Sequence, residues 1–284
     1  MPSLGQALSE GRLRLSRAGI DTALFDARLL LAEVTGLAAP MVALRGSEDL
    51  PPEAAARFEA LLVRREGREP MSHILGRRGF WTLDLAVTAD TLDPRPDTET
   101  LVEAVLAVLP NRKRPLRLLD FGTGSGCILL ALLSELPAAI GLGIDASPAA
   151  LAVATANAET NGLAPRAQFR LGDWGQGIGG RFDVIVSNPP YIPEAEIDGL
   201  APEVARFEPR SALSGGADGL ECYRRLIPDI ARLLVPGGVT AVEVGQGQAG
   251  AVAALMTAAG LRLEMLRCDL GGIERCVVAF APES

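Results

Sequence analysis

Residues 116–133 place three kinds of chain in immediate succession, and few folds accommodate them. The run Leu116-Arg117-Leu118-Leu119-Asp120 has the length and composition of a short strand. It passes directly into Phe121-Gly122-Thr123-Gly124-Ser125-Gly126, and then into Cys127-Ile128-Leu129-Leu130-Ala131-Leu132-Leu133, whose residues favour a helix. Strand, glycine loop and helix in that order predict an open parallel α/β sheet, in which ligands bind beyond the carboxyl ends of the strands. Glycine permits a tight turn and close approach of backbone N–H groups to a ligand, and a helix N-terminus favours negative charge. The glycines alternate as Gly122, Gly124 and Gly126, not in the G-x-G-x-x-G spacing of a nicotinamide dinucleotide site. An acid ahead of alternating glycines, here Asp120, suits an adenosyl amino acid.

Three further apolar runs end in residues of the same kind of chemistry. Ile140-Gly141-Leu142-Gly143-Ile144 ends in Asp145, whose carboxylate can accept hydrogen bonds from both hydroxyls of a ribose. The run from Ala167 ends in Asp173-Trp174, an acceptor for an exocyclic amine beside a ring that can cover a base. The run from Phe182 ends in Asn188-Pro189-Pro190-Tyr191. The Asn188 carbonyl is an acceptor, Pro189 offers a backbone carbonyl without an N–H, and Tyr191 supplies an aromatic face. Together they form a cradle for a flat group bearing NH2. Taken alone, the tetrapeptide is also a rigid turn, and the acids also suit helix caps in an ordinary nucleotide-binding sheet. In order along one sheet, the four ends predict a methyltransferase using S-adenosylmethionine. Gly122, Thr123, Gly124, Ser125, Gly126, Asp145, Asp173, Trp174 and Asn188 bind the cofactor. Asn188, Pro189, Pro190 and Tyr191 hold the substrate, with Asn188, Pro189 and Tyr191 as the catalytic group.

Composition narrows the partners. The 284 residues are 48% hydrophobic and 22% charged, enough for one large domain and a small one. Net charge is −8, and Lys113 is the one lysine, so no broad polycationic surface is expected for nucleic acid. The arginines 57, 64, 65, 68, 77 and 78 cluster in sequence but alternate with Glu59, Glu66 and Glu69, the pattern of a solvated, charge-paired helix face more than of a binding patch. No apolar run is long enough to span a bilayer and the first residues lack the basic and apolar regions of a signal peptide, which predicts a cytoplasmic protein. Cys127, Cys222, Cys268 and Cys276 lack metal-site spacing and read as reduced core residues. His73 is the only histidine, so no histidine pair or triad operates, and no metal is expected.

Local signals divide the chain into a helical domain over 1–75, expected to dock the protein substrate, a β-hairpin linker over 76–98 and the methyltransferase domain over 99–284. Ser3 and Gln6 form a capping box, Asp21 caps a helix that ends at Gly36, and Pro51-Pro52 opens another that closes at Gly67. Residues 79–87 alternate as a strand, and Asp93-Pro94-Arg95-Pro96-Asp97-Thr98 is a stiff turn into a helix. A helix near 223–234 is expected to end at Pro236-Gly237-Gly238, before a strand over 239–244. Two antiparallel strands around Gly271-Gly272 close the chain.

Several blocks resemble the bacterial peptide-chain release factor N5-glutamine methyltransferases (PrmC/HemK family): Asp26-Ala27-Arg28-Leu29-Leu30-Leu31, residues 76–81, Pro94-Arg95-Pro96-Asp97-Thr98-Glu99, residues 120–126, Asn188-Pro189-Pro190-Tyr191, and the stretch from Phe207-Glu208-Pro209-Arg210 to Gly219-Leu220. The resemblance implies a seven-stranded Rossmann-like class I methyltransferase sheet with a helical N-terminal domain. It implies methylation of the glutamine in the Gly-Gly-Gln motif of class-one release factors. On it, residues 122–126, Asp145 and Trp174 match cofactor-binding positions, and Asn188-Pro189-Pro190-Tyr191 match those holding the glutamine. Asp93 departs from the family, which has an apolar residue there. Glutamine methylation of a ribosomal protein, N6-adenine methylation of a flipped base and a catalytically silent cofactor-binding module are the competing readings. Glu243, at the end of another expected strand, is a weak candidate for assisting proton loss.

Overall fold

A computed structural model describes residues 1–283 and divides into two compact units. One comprises Met1–Gly76 with Ala201–Phe207, the other Arg77–Leu200 and the chain from Glu208 onward.

The first unit is helical. Helix Leu4–Arg17 opens with the expected capping box: Ser3 Oγ accepts from the Gln6 N–H, and Gln6 Oε1 from the Ser3 N–H. Helix Ala23–Thr35 begins differently from expectation. Thr22, not Asp21, stands at its N-cap, and the Thr22 hydroxyl donates to Asp26 Oδ2 at 3.0 Å. Gly36 ends it in the left-handed conformation, φ 69°. Helix Pro52–Glu66 turns Phe58 and Leu62 into a core shared with Leu15, Leu30 and Leu31. Arg64 and Arg65 at its end, and Arg68 just beyond it, pair with acids of the same unit. Arg64 donates to Glu69, Arg65 to Asp26 and Glu203, and Arg68 to Glu203. These ion pairs explain why Ala201–Phe207 belongs here although its helix, Pro202–Phe207, buries no residue.

The second unit begins with a hairpin of β1 (Arg77–Phe80) and β2 (Leu83–Ala86), turned at Trp81 with φ 56°. Trp81 Nε1 donates to Glu135 at 2.9 Å, and Asn157 both accepts from the Ala86 N–H and donates to its carbonyl. The hairpin is therefore fastened to this unit and is no free connection. Beyond it, a 3-10 turn, Pro96–Thr98, leads into helix Glu99–Val108.

The main sheet contains β3 (Arg117–Phe121), β4 (Ile140–Asp145), β5 (Ala167–Leu171), β6 (Phe182–Ser187), β7 (Leu234–Glu243), β8 (Arg262–Cys268) and β9 (Glu274–Phe280), in the order β5-β4-β3-β6-β7-β9-β8. The first five in that order are parallel, and β9 runs antiparallel to β7 and β8. The chain builds outward from β3 through β4 and β5, then returns to lay β6 on the other side of β3. That reversal between β3 and β6 is the topological switch point. Both faces are covered, Leu118, Val184 and Val239 packing in one core and Leu119, Ile185 and Val242 in the other, which is why these strands read as continuous apolar runs. One strand is longer than expected: β7 starts at Leu234 and continues through Pro236-Gly237-Gly238. A register jump absorbs the extra residues, with Phe182 opposite Leu234 but Val184 opposite Val239.

Candidate active site

Beyond the carboxyl ends of β3, β4, β5 and β6 lies a cavity of about 540 Å³, within the range of small-molecule and cofactor sites. The glycine loop after β3 forms its floor. Gly122 and Gly124 adopt φ 67° and 53°, which side chains rarely tolerate, and a Cβ at either would meet nothing within 4 Å. Gly126, φ 83°, caps helix Cys127–Glu135 and stands off the cavity wall, where a Cβ would press on Leu130 at 3.2 Å and Ala154 at 3.3 Å. The N–H groups of Gly122 and Thr123 donate to the Ile144 carbonyl, and that of Gly124 donates to Asp145 Oδ2 at 2.9 Å. The Ser147 N–H donates to the other Asp145 oxygen, also at 2.9 Å. Asp145 is thus aimed by two backbone donors while each oxygen keeps a lone pair for a ligand.

Beneath the loop, Asp120 is fully buried and accepts the Thr123 hydroxyl at 2.6 Å, with Oδ1 left without a partner. Burial pushes its carboxyl up to about 7, against the Thr123 hydrogen bond and with help from the Asp145 charge. Ser125 lies on the wall, its carbonyl held by Asn157 Nδ2. Asp173 and Trp174 also line the cavity. Arg225 and Gln176 hold the Asp173 carboxylate, and the Trp174 ring meets Phe121 edge-on at 6.5 Å.

At the switch point, the Ser187 hydroxyl donates to the Phe121 carbonyl at 2.8 Å and ties the end of β6 to that of β3. Asn188 follows on the cavity wall, its Nδ2 donating to Thr98 Oγ1 at 3.3 Å. Pro190 is on the wall, but Pro189 is buried and Tyr191 half-buried, and neither lines the cavity. The Tyr191 backbone is clamped by Gln248 Nε2 on its carbonyl, and its ring lies against Gly245. Burial, then the Glu243 charge, pushes the phenol up to about 12. Glu243 itself is buried at the end of β7, its carboxyl pushed up to about 7 by burial against the opposing pull of Thr98, Arg275 and Asn188.

The cavity also gathers residues that carried no role in the sequence: Thr98, Ser147, Cys222, Arg225 and the segments around Asp93 and Pro209. Asp93, the residue that departs from the family pattern, is buried on the wall with Arg78 donating to it at 3.2 Å. Arg95 donates to the buried Glu208 carboxylate, so a pair of opposite charges in the blocks at 94–99 and 207–210 was the available signal. Burial lifts the Glu208 carboxyl to about 7, Arg95 opposing and Asp93 adding to the rise. The cysteines are not uniformly core residues. Cys276 is buried and Cys127 and Cys222 half-buried, while Cys268 is exposed. Cys127 lines the cavity as a neutral thiol, burial raising it to about 12.

Asp120, Glu208 and Glu243 share one consequence. Their folded-state values lie above the ordinary carboxyl values of 3.8 and 4.5, so the folded unit binds their protons more tightly than the unfolded chain. That contribution to stability is complete below about 4 and is lost as pH rises through about 7. The unfolding temperature of the second unit is therefore expected to fall between pH 5 and pH 8, and Asp120→Asn to flatten the slope in calorimetric scans. An equally steep slope in the variant would remove Asp120 from this set.

Among the described residues no helix is long and apolar enough to cross a membrane, and no cluster of three potential metal ligands occurs. Residues 6–76 match the family model of the PrmC N-terminal domain, and residues 94–204 that of the methyltransferase small domain. The release factor glutamine methyltransferase of Rhodospirillum rubrum is 56% identical over 97% of this chain and 84% of its own length. That of Moorella thermoacetica is 43% identical over 99% of both. Among solved structures, the catalytic domain of hMettl16, in complex with MAT2A 3′UTR hairpin 6, superimposes with a TM-score of 0.57 at 17% identity over 84% of each chain. A Pyrococcus furiosus methyltransferase gives 0.51 at 16% identity over 70% of this chain and 89% of its own. These two likenesses concern the fold.

Proposed function

The chain belongs to the release factor glutamine methyltransferase family, and from that premise we propose that it transfers the methyl group of S-adenosylmethionine to the side-chain nitrogen of the glutamine in the Gly-Gly-Gln motif of class-one release factors. The observation that carries this reading is the meeting, in one cavity at the switch point, of an open glycine loop, the oriented Asp145 carboxylate and the Asn188 carboxamide. The loop leaves space where a Cβ would project, Asp145 keeps lone pairs for ribose hydroxyls, and Trp174 offers a ring, so the residues present fit an adenosyl amino acid. When bound, S-adenosylmethionine supplies an electrophilic methyl group on a sulfonium.

The rest falls to the protein. An amide nitrogen is a poor nucleophile because its lone pair is delocalised into the carbonyl. Asn188 Oδ1, on the cavity wall, accepts an N–H of the glutamine, orients the nitrogen, and gains strength as positive charge develops there. Tyr191 stiffens this turn from behind, through its clamped carbonyl and its half-buried ring against Gly245. Positioning supplies up to roughly 7 to 11 kcal/mol in favourable systems, so no dedicated general base is required. The enzyme acts where release factors are made, in the cytoplasm.

Labelled S-adenosylmethionine offered in parallel with class-one release factors, a ribosomal protein and duplex DNA tests the proposal. Label is expected on the release factors and absent when their motif glutamine is replaced by alanine. Label on DNA or the ribosomal protein alone would overturn it. For the cofactor, Asp145→Ala removes a charged acceptor, a loss of about 1.5 to 3 kcal/mol, and is expected to weaken binding by roughly tenfold to over a hundredfold in calorimetric titration. Unchanged affinity would mean that Asp145 serves only the loop.

A further inference from the structure

Trp174 adopts a backbone conformation that its side chain disfavours. Its φ is 50°, in the left-handed region, where a bulky residue is strained and persists only if its surroundings hold it there. In that conformation the ring lines the cavity and meets Phe121 edge-on. The peptide bond that follows Trp174 takes its orientation from the Trp174 ψ, so a group that grips this peptide also sets the residue.

Helix Glu221–Leu233 supplies that grip. Before Trp174, Arg225 donates to the Asp173 carboxylate, but both members of this pair are 49% exposed and water screens them. After Trp174 the contacts reach the backbone. Asp229 Oδ2 accepts the N–H of Gly175, a buried residue, at 3.0 Å, and Arg232 donates to the Gly175 carbonyl at 3.0 Å and to Asp229 Oδ1 at 2.7 Å. The fit is close. A Cβ on Gly175 would stand 2.4 Å from Asp229 Cγ and 2.7 Å from Asp229 Cβ, so only glycine admits the carboxylate at this distance. Gly175, Asp229 and Arg232 all lie off the cavity wall, and the strain at Trp174 is thus maintained from outside the site.

On the reading of the cavity as an S-adenosylmethionine site, we propose that Asp229 is a positioning residue for the cofactor, holding the Trp174–Gly175 peptide so that the indole is in place before the adenine arrives. A ring set in advance reduces the ordering that binding demands, and the difference appears as affinity. Asp229→Ala deletes the acceptor. Asp229→Asn keeps an oxygen for the Gly175 N–H. Gly175→Ala leaves Asp229 intact but drives the two groups apart.

The experiment uses the full chain with Trp81→Phe as parent, which leaves Trp174 the sole indole. It measures S-adenosylmethionine affinity by calorimetric titration, indole emission without ligand, unfolding temperature, and kcat and cofactor KM with the release factor. Asp229→Ala is expected to weaken affinity and raise the cofactor KM by about tenfold, the weight of one hydrogen bond to a charged group. Its emission should move to longer wavelength as the ring leaves Phe121, while kcat at saturating cofactor stays at the parent value. Asp229→Asn should restore most of the affinity. Gly175→Ala should resemble Asp229→Ala, and the double variant, in which the clash is gone, should be no weaker than the worse single one. A folded Asp229→Ala with parent affinity or parent emission overturns the proposal, as does an Asp229→Asn as weak as Asp229→Ala. Should Asp229→Ala fail to fold, Gly175→Ala decides by the same two readings. Failure of the wild-type protein to bind S-adenosylmethionine at all would instead strike the reading of the cavity.

Discussion

Asn188→Ala is expected to lower kcat by about 100-fold or more, the range seen when a single oriented polar group is removed from the site of developing charge. Alanine deletes the acceptor while Pro189 and Pro190 preserve the turn, and Ser187 still ties β6 to the Phe121 carbonyl. The loss should therefore fall on kcat and kcat/KM alike, with little change in cofactor affinity, because the interaction strengthens only as the substrate nitrogen becomes positive. Single-turnover rates with saturating release factor and cofactor make the measurement. A near-normal rate would return Asn188 to the status of a turn residue. Asn188→Asp sharpens the comparison, since it keeps the shape and an acceptor but places a negative charge beside a sulfonium.

Arg65→Ala carries the largest expected effect on stability. The guanidinium is buried, with Nε on Asp26 at 2.8 Å and Nη1 on Glu203 at 3.0 Å, and Asp26 is itself only 3% exposed. Deleting the cation strands Asp26 in the helical core, and removing one member of a buried pair costs about 3 to 5 kcal/mol. Calorimetry of the full chain should show the transition of the helical unit move to lower temperature while that of the sheet unit stays in place. Two units make a single two-state description unsafe, so each transition is followed separately. Replacing Asp26 and Arg65 together by leucine and methionine should recover much of the loss. A shift no larger than that of an exposed pair, below about 1 kcal/mol, would show that water screens this site.

Much of this arrangement is legible in the sequence, for a physical reason. β3, β4 and β6 are covered on both faces, so their sequences are short apolar runs whose ends are marked by the first polar residue, and Asp145 and Asn188 announce themselves that way. The glycine loop is equally plain, because positive φ at Gly122, Gly124 and Gly126 leaves little choice of residue. Other features depend on partners that sequence does not bring near. β7 continues through Pro236-Gly237-Gly238 only because β6 accommodates the bulge. Thr98 meets Asn188 from a distance of 90 residues. Tyr191 was expected beside the substrate, yet a turn stiffened by two prolines has a direction that composition does not encode, and the ring lies off the cavity wall. Even the helix start at Thr22 was lost to Asp21, because Asp26 lies near enough to take the threonine hydroxyl.

The return of Ala201–Phe207 to the helical unit bears on how this protein could be taken apart or recombined. A gene segment ending at Gly76 encodes most of that unit but omits the strand of chain that supplies Glu203, the counter-charge of Arg65 and Arg68. A chimera that exchanges only the first 76 residues would pair a foreign helix face with the host's Glu203, and a truncation starting at Arg77 would leave that glutamate's helix with no core of its own. The first unit is therefore discontinuous in sequence. Swapping the units as working modules requires carrying the distant heptapeptide along with its arginines.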